Sequence, residues 1–514
     1  QMQPLFGSGH HPLAAQRQRD LAGPGLTEKD YVEITRLGEP YRVYAGDISP
    51  FRVEVARRLE ALNKERGLPQ KAATAIEDRA RIRSQVALEM FKAEFGRDPL
   101  NERELAGQVA RLSRQQTTAV AGFDLTFSPV KSVSALWALA EPGLAAKIER
   151  CHQQAVADAL EFIEQHALFT RTGTDGVRQV DVRGLIGTAF THRDSRAGDP
   201  DLHTHVAVAN KVQTLADGRW LSIDSRVLHK AVVAASETYN TALERHLAEA
   251  IGVRFEARED TDPRKRPIRE IVGTDAALNQ RWSTRRQSIE ARRRVLAAAF
   301  QADHGRPPTP VEAIALAQQA TLETREAKHE PRSLAEQRTI WWRQAREVLG
   351  GENGIRTMIH AALHPLPGER HIPNQAWLEH EARRVVAIVQ RDRSTWQTWH
   401  LRAEALRSVR AVEVPSKHVH TVVNLLLDQA LTSCVALTRP VPGEPQEPAP
   451  LRRRDGASVY TVAGSQLYTS NAILAAEARL VAAAGLRDGW VVPAPALDKA
   501  LLECRTNSVE LNPG

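Results

Sequence analysis

The fold is decided by one segment, His192-Arg-Asp-Ser-Arg-Ala-Gly-Asp-Pro-Asp-Leu-His-Thr-His205, and by the apolar stretches on either side of it. Residues 184–193 and 202–209 each have the length and the β-branched content of a strand. A polar turn at 194–201 lies between them, which predicts an antiparallel hairpin. We therefore expect a sheet built outward from this hairpin, with the Asp217-Gly218 turn leading to a further strand at 220–223.

Three histidines would lie on one face of this hairpin. His203 and His205 are two residues apart on a strand, so both imidazoles leave the same side of the sheet. His192 lies near the end of the preceding strand, and the hairpin would bring it opposite them. Three neutral imidazoles can bind a divalent ion and leave positions open for substrate oxygens. The sequence therefore predicts a catalytic type of metal site.

A His-x-His pair alone carries little weight, because the chain has 18 histidines and a second pair occurs at His418-Val-His420. That second pair has no third histidine brought to it by a hairpin and no acidic strand nearby, so we predict a structural role for it. The pair at 203 and 205 differs because His192 and the Asp199-Pro-Asp201 turn flank it.

A second predicted strand, Gly122-Phe-Asp-Leu-Thr-Phe127, adds a carboxylate. Its aromatic and aliphatic side chains alternate with Asp124 and Thr126, which therefore share the opposite face. Asp124 could act as a general base or could orient a liganding histidine, and the alternative is a hydrogen-bonded surface aspartate.

Helices are predicted around these strands. Ser128 as N-cap and Pro129 in the first turn predict a helix with the apolar body 135–139, whose N-terminus could hold a phosphate. Further helices are expected at 145–168 and at 228–251, the latter ended by Gly252.

A short sequence pattern occurs twice. Phe91-Lys-Ala-Glu-Phe-Gly-Arg-Asp-Pro99 is echoed by Phe300-Gln-Ala-Asp-His-Gly-Arg-Pro-Pro308, and each copy precedes a helical run. We predict that both copies are one turn-then-helix device and not a duplicated site.

The bulk composition is that of a globular protein with more than one domain, since 514 residues contain 42% hydrophobic and 25% charged side chains. No apolar run approaches the roughly 18 to 20 residues that cross a bilayer. Three widely spaced cysteines cannot build a disulfide framework, which favours the cytoplasm. The net charge of +7 fits a polyanionic partner, but it also describes many soluble enzymes.

Two motifs together carry a family resemblance. The segment Gly122-Phe-Asp-Leu-Thr-Phe-Ser-Pro-Val-Lys-Ser-Val-Ser-Ala-Leu-Trp137 and the His192–His205 segment, in that order and separation, resemble conjugative relaxases of the MobF (TrwC-like) family. The similarity includes Ser236-Glu-Thr-Tyr-Asn240. From Ala320 onward the chain is similar to the segment that joins relaxase to helicase in actinobacterial members.

The resemblance implies an α+β fold of the HUH-endonuclease type, with an antiparallel sheet and flanking helices. A relaxase domain would occupy residues 1–290, a mainly helical connecting region 291–440, and a linker with the leading edge of a helicase domain 441–514.

The resemblance also implies an activity, which is site- and strand-specific nicking and joining of single-stranded DNA through a tyrosyl-DNA intermediate. Under it, His192, His203 and His205 would hold a divalent ion (Mg, Mn or Zn), and Asp124 would support proton removal or orient a histidine. Candidate phosphate contacts are Lys131, Arg193 and Arg196. The expected partners are single-stranded and hairpin DNA at the origin of transfer, relaxosome accessory proteins and a type IV coupling protein, in the bacterial cytoplasm.

The chain departs from the family pattern in its tyrosines, because those that act as nucleophiles in the family precede the point where this sequence begins. Tyr41 and Tyr44 are the nearest candidates, but their stretch resembles a later, structural part of the domain, and Tyr239 is predicted to lie in a helix core. No nucleophile is therefore assigned in this chain.

The sequence also has no Gly-x-x-x-x-Gly-Lys-[Ser/Thr] motif for ATP hydrolysis. We expect a fragment that lacks the tyrosine segment and the helicase motor, with strand transfer impaired. Two alternatives stay open: a catalytically inactive remnant that binds DNA or a relaxosome partner, and a rolling-circle replication initiator, which shares the histidine chemistry.

Overall fold

The computed structural model describes residues 2–20, 27–39, 41, 50–68, 74–113, 120–258, 265–325, 330, 332–367, 373–412, 414–438, 447–486 and 492–507. The helices are α1 (Ala14–Asp20), α2 (Glu28–Thr35), α3 (Pro50–Glu65), α4 (Ile76–Phe95), α5 (Glu102–Ser113), α6 (Lys131–Leu139), α7 (Pro142–His166), α8 (Ser225–Ile251), α9 (Ala276–Arg281), α10 (Thr284–His304), α11 (Pro310–Glu323), α12 (Leu334–Leu349), α13 (Glu352–Leu363), α14 (Gln375–Asp392), α15 (Thr398–Arg410), α16 (Ser416–Thr432), α17 (Asn471–Ala484) and α18 (Ala494–Thr506).

The strands are β1 (Gly122–Phe127), β2 (Phe169–Thr172), β3 (Arg178–Arg183), β4 (Gly187–Asp194), β5 (Pro200–Ala209), β6 (Val212–Thr214), β7 (Trp220–Leu221), β8 (Phe255–Ala257), β9 (Arg269–Ile271), β10 (Val435–Ala436) and β11 (Tyr468–Thr469). All their pairings are antiparallel. The predicted α+β class with an antiparallel sheet is thereby confirmed.

The chain forms two compact units that interleave along the sequence. The first comprises residues 1–128, 164–225 and 324–329, and the second comprises 129–163, 226–323 and 330–514. The domain boundaries near 290 and 440 stay predictions. No helix in the described ranges has the length and apolar character that a bilayer crossing requires.

The first unit contains a three-stranded sheet in the order β1-β5-β4 and a four-stranded sheet in the order β2-β3-β6-β7. The predicted hairpin is confirmed as β4 and β5, although β4 begins at Gly187 and not at Gly184. Gly184 has a φ of 95°, outside the extended region, so the strand starts only after it.

Strand β5 separates an apolar face from an open one. Leu202, Val206 and Val208 are at most 4% exposed, while His203 and His205, which alternate with them, are partly exposed. Each buried aliphatic side chain contributes about 1.5 to 3 kcal/mol. The burial of one face therefore holds the histidine face toward solvent.

The start of α6 differs from its prediction, because Val130 and not Ser128 is the N-cap residue and no side chain caps it. Val130 is extended, so the helix begins two residues later than predicted, at Lys131. The predicted phosphate site at this terminus is also not supported. The amide of Ser132 already donates to the Glu270 carboxylate, at 3.0 Å.

The repeated sequence pattern is one structural device, as predicted. In the first unit, α4 ends at Gly96 with a φ of 67°. The Arg97 guanidinium then lies 5.2 Å from the Phe91 ring centroid and pairs with Glu104 of the next helix at 2.7 Å. The left-handed glycine ends one helix, and the arginine fixes the start of the next.

The second unit contains the second copy. Helix α10 ends at Gly305 with a φ of 65°. Arg306 lies 5.4 Å from the Phe300 ring centroid and pairs with Glu312 of α11 at 2.9 Å. Each copy joins two helices and holds no group of three metal-ligating side chains in the described residues.

The second unit is mainly helical, as the sequence predicts for its later part. Helices α14 to α16 pack around an apolar core, whose fully buried members are Val385, Trp396, Leu401, Ala405, Val409, Leu426 and Ala430. Tyr239 of α8 is 3% exposed, and its hydroxyl lies 2.8 Å from Nδ1 of the fully buried His152. Its predicted place in a helix core is confirmed.

A nearly buried ion-pair cluster connects α8 to α15. Glu237 is 8% exposed and accepts hydrogen bonds from Arg407 at 2.7 Å and from Arg410 at 2.5 Å. Breaking a buried pair by removing one partner leaves a charge without compensation.

We expect Glu237→Ala to lower the free energy of unfolding by about 3 kcal/mol, because Arg407 and Arg410 would each lose a hydrogen-bonded carboxylate, while Arg407 keeps Glu404 at 2.7 Å. Guanidinium-induced unfolding followed by circular dichroism measures the loss. The matched control is Glu290→Ala, which removes an exposed pair with Arg293 and should cost at most about 1 kcal/mol. Equal losses in the two variants would contradict a stabilising role for the cluster.

Candidate metal centre

The three predicted histidines meet on the open face of the β1-β5-β4 sheet. His192 lies directly across from His203 in the β4–β5 register, and His205 follows two residues further along β5. The three ring centroids are 5.1, 5.2 and 5.2 Å apart, and one nitrogen from each ring lies within 4.8 Å of the others. The imidazoles therefore form a nearly equilateral triangle that can surround one ion.

The hydrogen bonds of two histidines determine which nitrogen is available. Nδ1 of His203 lies 2.8 Å from the carbonyl oxygen of Asp201, and Nδ1 of His205 lies 2.9 Å from both carboxylate oxygens of Asp124. Carbonyl and carboxylate oxygens only accept hydrogen bonds, so Nδ1 must carry the proton in both rings. The unprotonated Nε2 atoms are thus left for a metal, and this donor set fits a divalent ion.

Asp124 lies where the alternation of β1 predicts it. Its carboxylate shares a face with Thr126, whose hydroxyl is 3.1 Å from the same Nδ1 of His205. The side chain of Asp124 is 61% exposed, so its charge stays hydrated while it fixes the histidine ring. The sequence predicts that Asp124 acts as a general base or orients a liganding histidine. Its contact with Nδ1 of His205 supports the second of these roles.

Two of the candidate phosphate contacts are Arg193, near the end of β4, and Arg196, in the turn between β4 and β5. The Ser195 amide donates to the Asp199 carbonyl at 2.9 Å, and a register shift lies between His192 and Asp194. Arg193 and Arg196 are half-buried and interact with other protein groups. Lys131 belongs to the second unit, at the start of α6.

The second His-x-His pair has a different geometry because it lies on helix α16. Residues two apart on a helix point in different directions, so His418 and His420 do not converge. His420 instead lies 3.2 Å from the amide of Asn424. This supports the structural role predicted for the pair.

Tyr41 packs against Lys211, which follows the end of β5 at Ala209. Its ring contacts the Lys211 ammonium at 4.8 Å, and burial raises the pKa of its hydroxyl to about 12. A raised pKa disfavours the deprotonated oxygen that a nucleophile needs, so this environment does not favour Tyr41 as the nucleophile. Tyr44 lies outside the described residues.

Phe190 was not singled out from the sequence. It pairs across the strands with His205 and shares a face with His192, yet it is 40% exposed. An aromatic residue in a strand favours a core position, which hides its presence on the open face. Counting in twos back from His192 would have placed it beside the histidines.

Comparison with known proteins is consistent with the resemblance seen in the motifs. The model of the family described as TrwC relaxase matches residues 1–348. The chain belongs to the TrwC relaxase family. The multifunctional conjugation protein TraI of Escherichia coli is 35% identical over 183 residues, which cover 31% of this chain and 10% of TraI. TraI of strain K12 is 33% identical over 183 residues with the same coverage.

This relaxase-family chain thus spans about a tenth of the length of the curated relatives it matches. Among solved structures, it is similar to the copper-bound conjugative relaxase TrwC in complex with oriT DNA, at 25% identity and a TM-score of 0.38, over 56% of this chain and 86% of that one. A metal-bound TrwC–oriT DNA complex matches at 26% identity and a TM-score of 0.38, over 51% and 87%.

We expect His203→Ala to weaken the binding of Zn²⁺ or Mn²⁺ by more than about 100-fold, because it removes one of three ligands. Isothermal titration calorimetry on the full chain measures the affinity. His418→Ala is the matched control and should bind the ion as the unchanged protein does. Retained high-affinity binding in His203→Ala would exclude the triangle as the metal site.

Asp124→Ala should weaken metal binding by roughly 10- to 100-fold, because His205 loses the acceptor that fixes its tautomer and orientation. The same titration measures the effect. The control is Asp98→Ala, which removes an exposed carboxylate of the α4–α5 turn and should leave the affinity unchanged. If both variants bind alike, Asp124 does not support the centre.

Proposed function

We propose that this chain carries the metal centre of a conjugative relaxase, which nicks and rejoins one strand of DNA at an origin of transfer. The observation that carries the proposal is the histidine triangle, with two Nε2 atoms left for a metal, in a chain of the TrwC relaxase family. The geometry supports a site for one ion, and the family supports the reaction.

His192, His203 and His205 would hold the ion and leave its remaining positions to phosphate oxygens. When bound, a divalent ion withdraws charge from the scissile phosphate and so favours attack on phosphorus. Imidazole nitrogen suits Zn²⁺ and other transition metals better than Mg²⁺, so among the predicted ions Zn²⁺ or Mn²⁺ is favoured over Mg²⁺.

The protein's own contribution is to orient these rings before substrate arrives. The Asp201 carbonyl holds His203, and the Asp124 carboxylate holds His205, so each ring presents its unprotonated nitrogen. The His205 side chain is 32% exposed. This exposure supports the approach of a single strand to the centre from the solvent side.

The proposed reaction is a phosphoryl transfer. A tyrosine hydroxyl loses its proton and its oxygen forms a bond to the scissile phosphorus. The bond from phosphorus to the 3′ oxygen breaks, and that oxygen takes up a proton, so one proton is released and one is taken up. The nucleophile is not assigned to a tyrosine of this chain. Relaxosome accessory proteins and a type IV coupling protein are the further partners we propose, with the bacterial cytoplasm as the location.

The direct test uses the complete gene product with a labelled single-stranded oligonucleotide that spans the nick region, in the presence of Mn²⁺. We expect a covalent protein–DNA adduct on a denaturing gel, and its loss in His205→Ala. His420→Ala is the matched control and should form the adduct. Full adduct formation by His205→Ala, or none by the unchanged protein, would refute the proposed function.

Arg193 and Arg196 are proposed to contact DNA phosphates beside the centre. Replacing either by alanine should weaken DNA binding about equally for all sequences and lower the dependence of log affinity on log salt by roughly one. Fluorescence anisotropy at several salt concentrations measures this slope. An unchanged slope in both variants would mean that neither side chain neutralises a phosphate.

A further inference from the structure

We propose that Phe190 is a positioning residue whose ring stacks on a base of the single strand and places the adjoining phosphate at the histidines. This inference rests on the proposed function, because it requires single-stranded DNA at the centre. The observation behind it is the position of the exposed Phe190 ring in the register of the sheet.

The register places Phe190 beside the site. In the β1-β5-β4 sheet, Thr126, His205 and Phe190 lie in one row across the three strands. Side chains directly opposite in such a row have Cβ atoms about 4.5 to 5.5 Å apart. Since β1 and β4 flank β5 on opposite sides, Asp124 and Thr126 approach His205 from one side and Phe190 adjoins it from the other.

The ring is not part of the apolar core. Phe190 is 40% exposed, whereas Leu202 and Val206 on the opposite face of β5 are at most 4% exposed. Its neighbours on the open face in the next row, Thr188, Ala207 and Asp124, are small or polar. Core packing therefore does not account for a large aromatic side chain at this position.

Single-stranded DNA provides the surface that such a ring binds. Every base has an exposed π-face, and stacking on an aromatic side chain tolerates any sequence. A base and its phosphate are separated by one sugar, so a nucleotide stacked on Phe190 brings a phosphate toward the neighbouring histidines. The ring carries no charge and no metal-ligating atom, so it does not compete for the ion.

The experiment combines substitutions at position 190 with the removal of single bases from the DNA. Unchanged protein, Phe190→Ala and Phe190→Trp are each titrated, in the complete gene product with Mn²⁺, against an intact origin-of-transfer oligonucleotide. The same titrations use oligonucleotides that lack one base at each position near the nick. Phe95→Ala, which removes another exposed ring of the same unit, is the control.

We expect Phe190→Ala to weaken binding of the intact strand by roughly 5- to 150-fold. On the one oligonucleotide that lacks the stacked base, Phe190→Ala and the unchanged protein should bind equally. Phe190→Trp and Phe95→Ala should bind like the unchanged protein, and metal affinity should not change in any variant.

Two results would overturn the stacking role of Phe190. The proposed function would still stand in either case if the unchanged protein forms the adduct. One is equal binding of the intact strand by Phe190→Ala and the unchanged protein. The other is the same loss on every abasic oligonucleotide, which would show that the ring contacts something other than a base. Failure of the unchanged protein to bind the strand or form the adduct would overturn both proposals.

Discussion

Strand β5 pairs with β4 along one edge and with β1 along the other, and these two registers position every group of the metal centre. A shift of one residue would turn His203 and His205 into the apolar interior and expose Leu202 and Val206. Each of those aliphatic side chains gains about 1.5 to 3 kcal/mol from burial, so such a shift would cost several kcal/mol before any ion is bound. Packing on one face of the sheet therefore maintains the geometry of the other face.

Hydrogen bonds then fix the orientation of the histidine rings that the strand register brings together. The Asp201 carbonyl and the Asp124 carboxylate each accept the Nδ1 proton of a histidine, so two rings have fixed tautomers and orientations without an ion. A ring that is already oriented loses less conformational freedom on binding metal, which favours affinity. Asp124 reaches His205 through the β1–β5 pairing, whereas the triangle itself depends on the β4–β5 pairing.

The sequence alone predicts the features that follow from the alternation of side chains along a strand or from a polar turn. His203 and His205 share a face because a strand alternates, and the polar turn brings His192 to them. Features that depend on competing local effects were not predicted. Val130 is extended, so the helix start falls after it and not after Ser128, and the positive φ of Gly184 delays β4. Phe190 was missed because an aromatic residue in a strand favours the core, although counting in twos from His192 places it on the open face, where the register sets it opposite His205.

The central claim is that His192, His203 and His205 together bind one divalent ion through their outward nitrogens. Anomalous diffraction from crystals of the protein grown with Zn²⁺ tests it most directly. We predict one strong anomalous peak on the open face of the sheet, about 2.0 to 2.1 Å from one nitrogen of each ring and from Nε2 in His203 and His205. A peak bound through Nδ1 of either residue, or a zinc ion held elsewhere with the triangle empty, would contradict it.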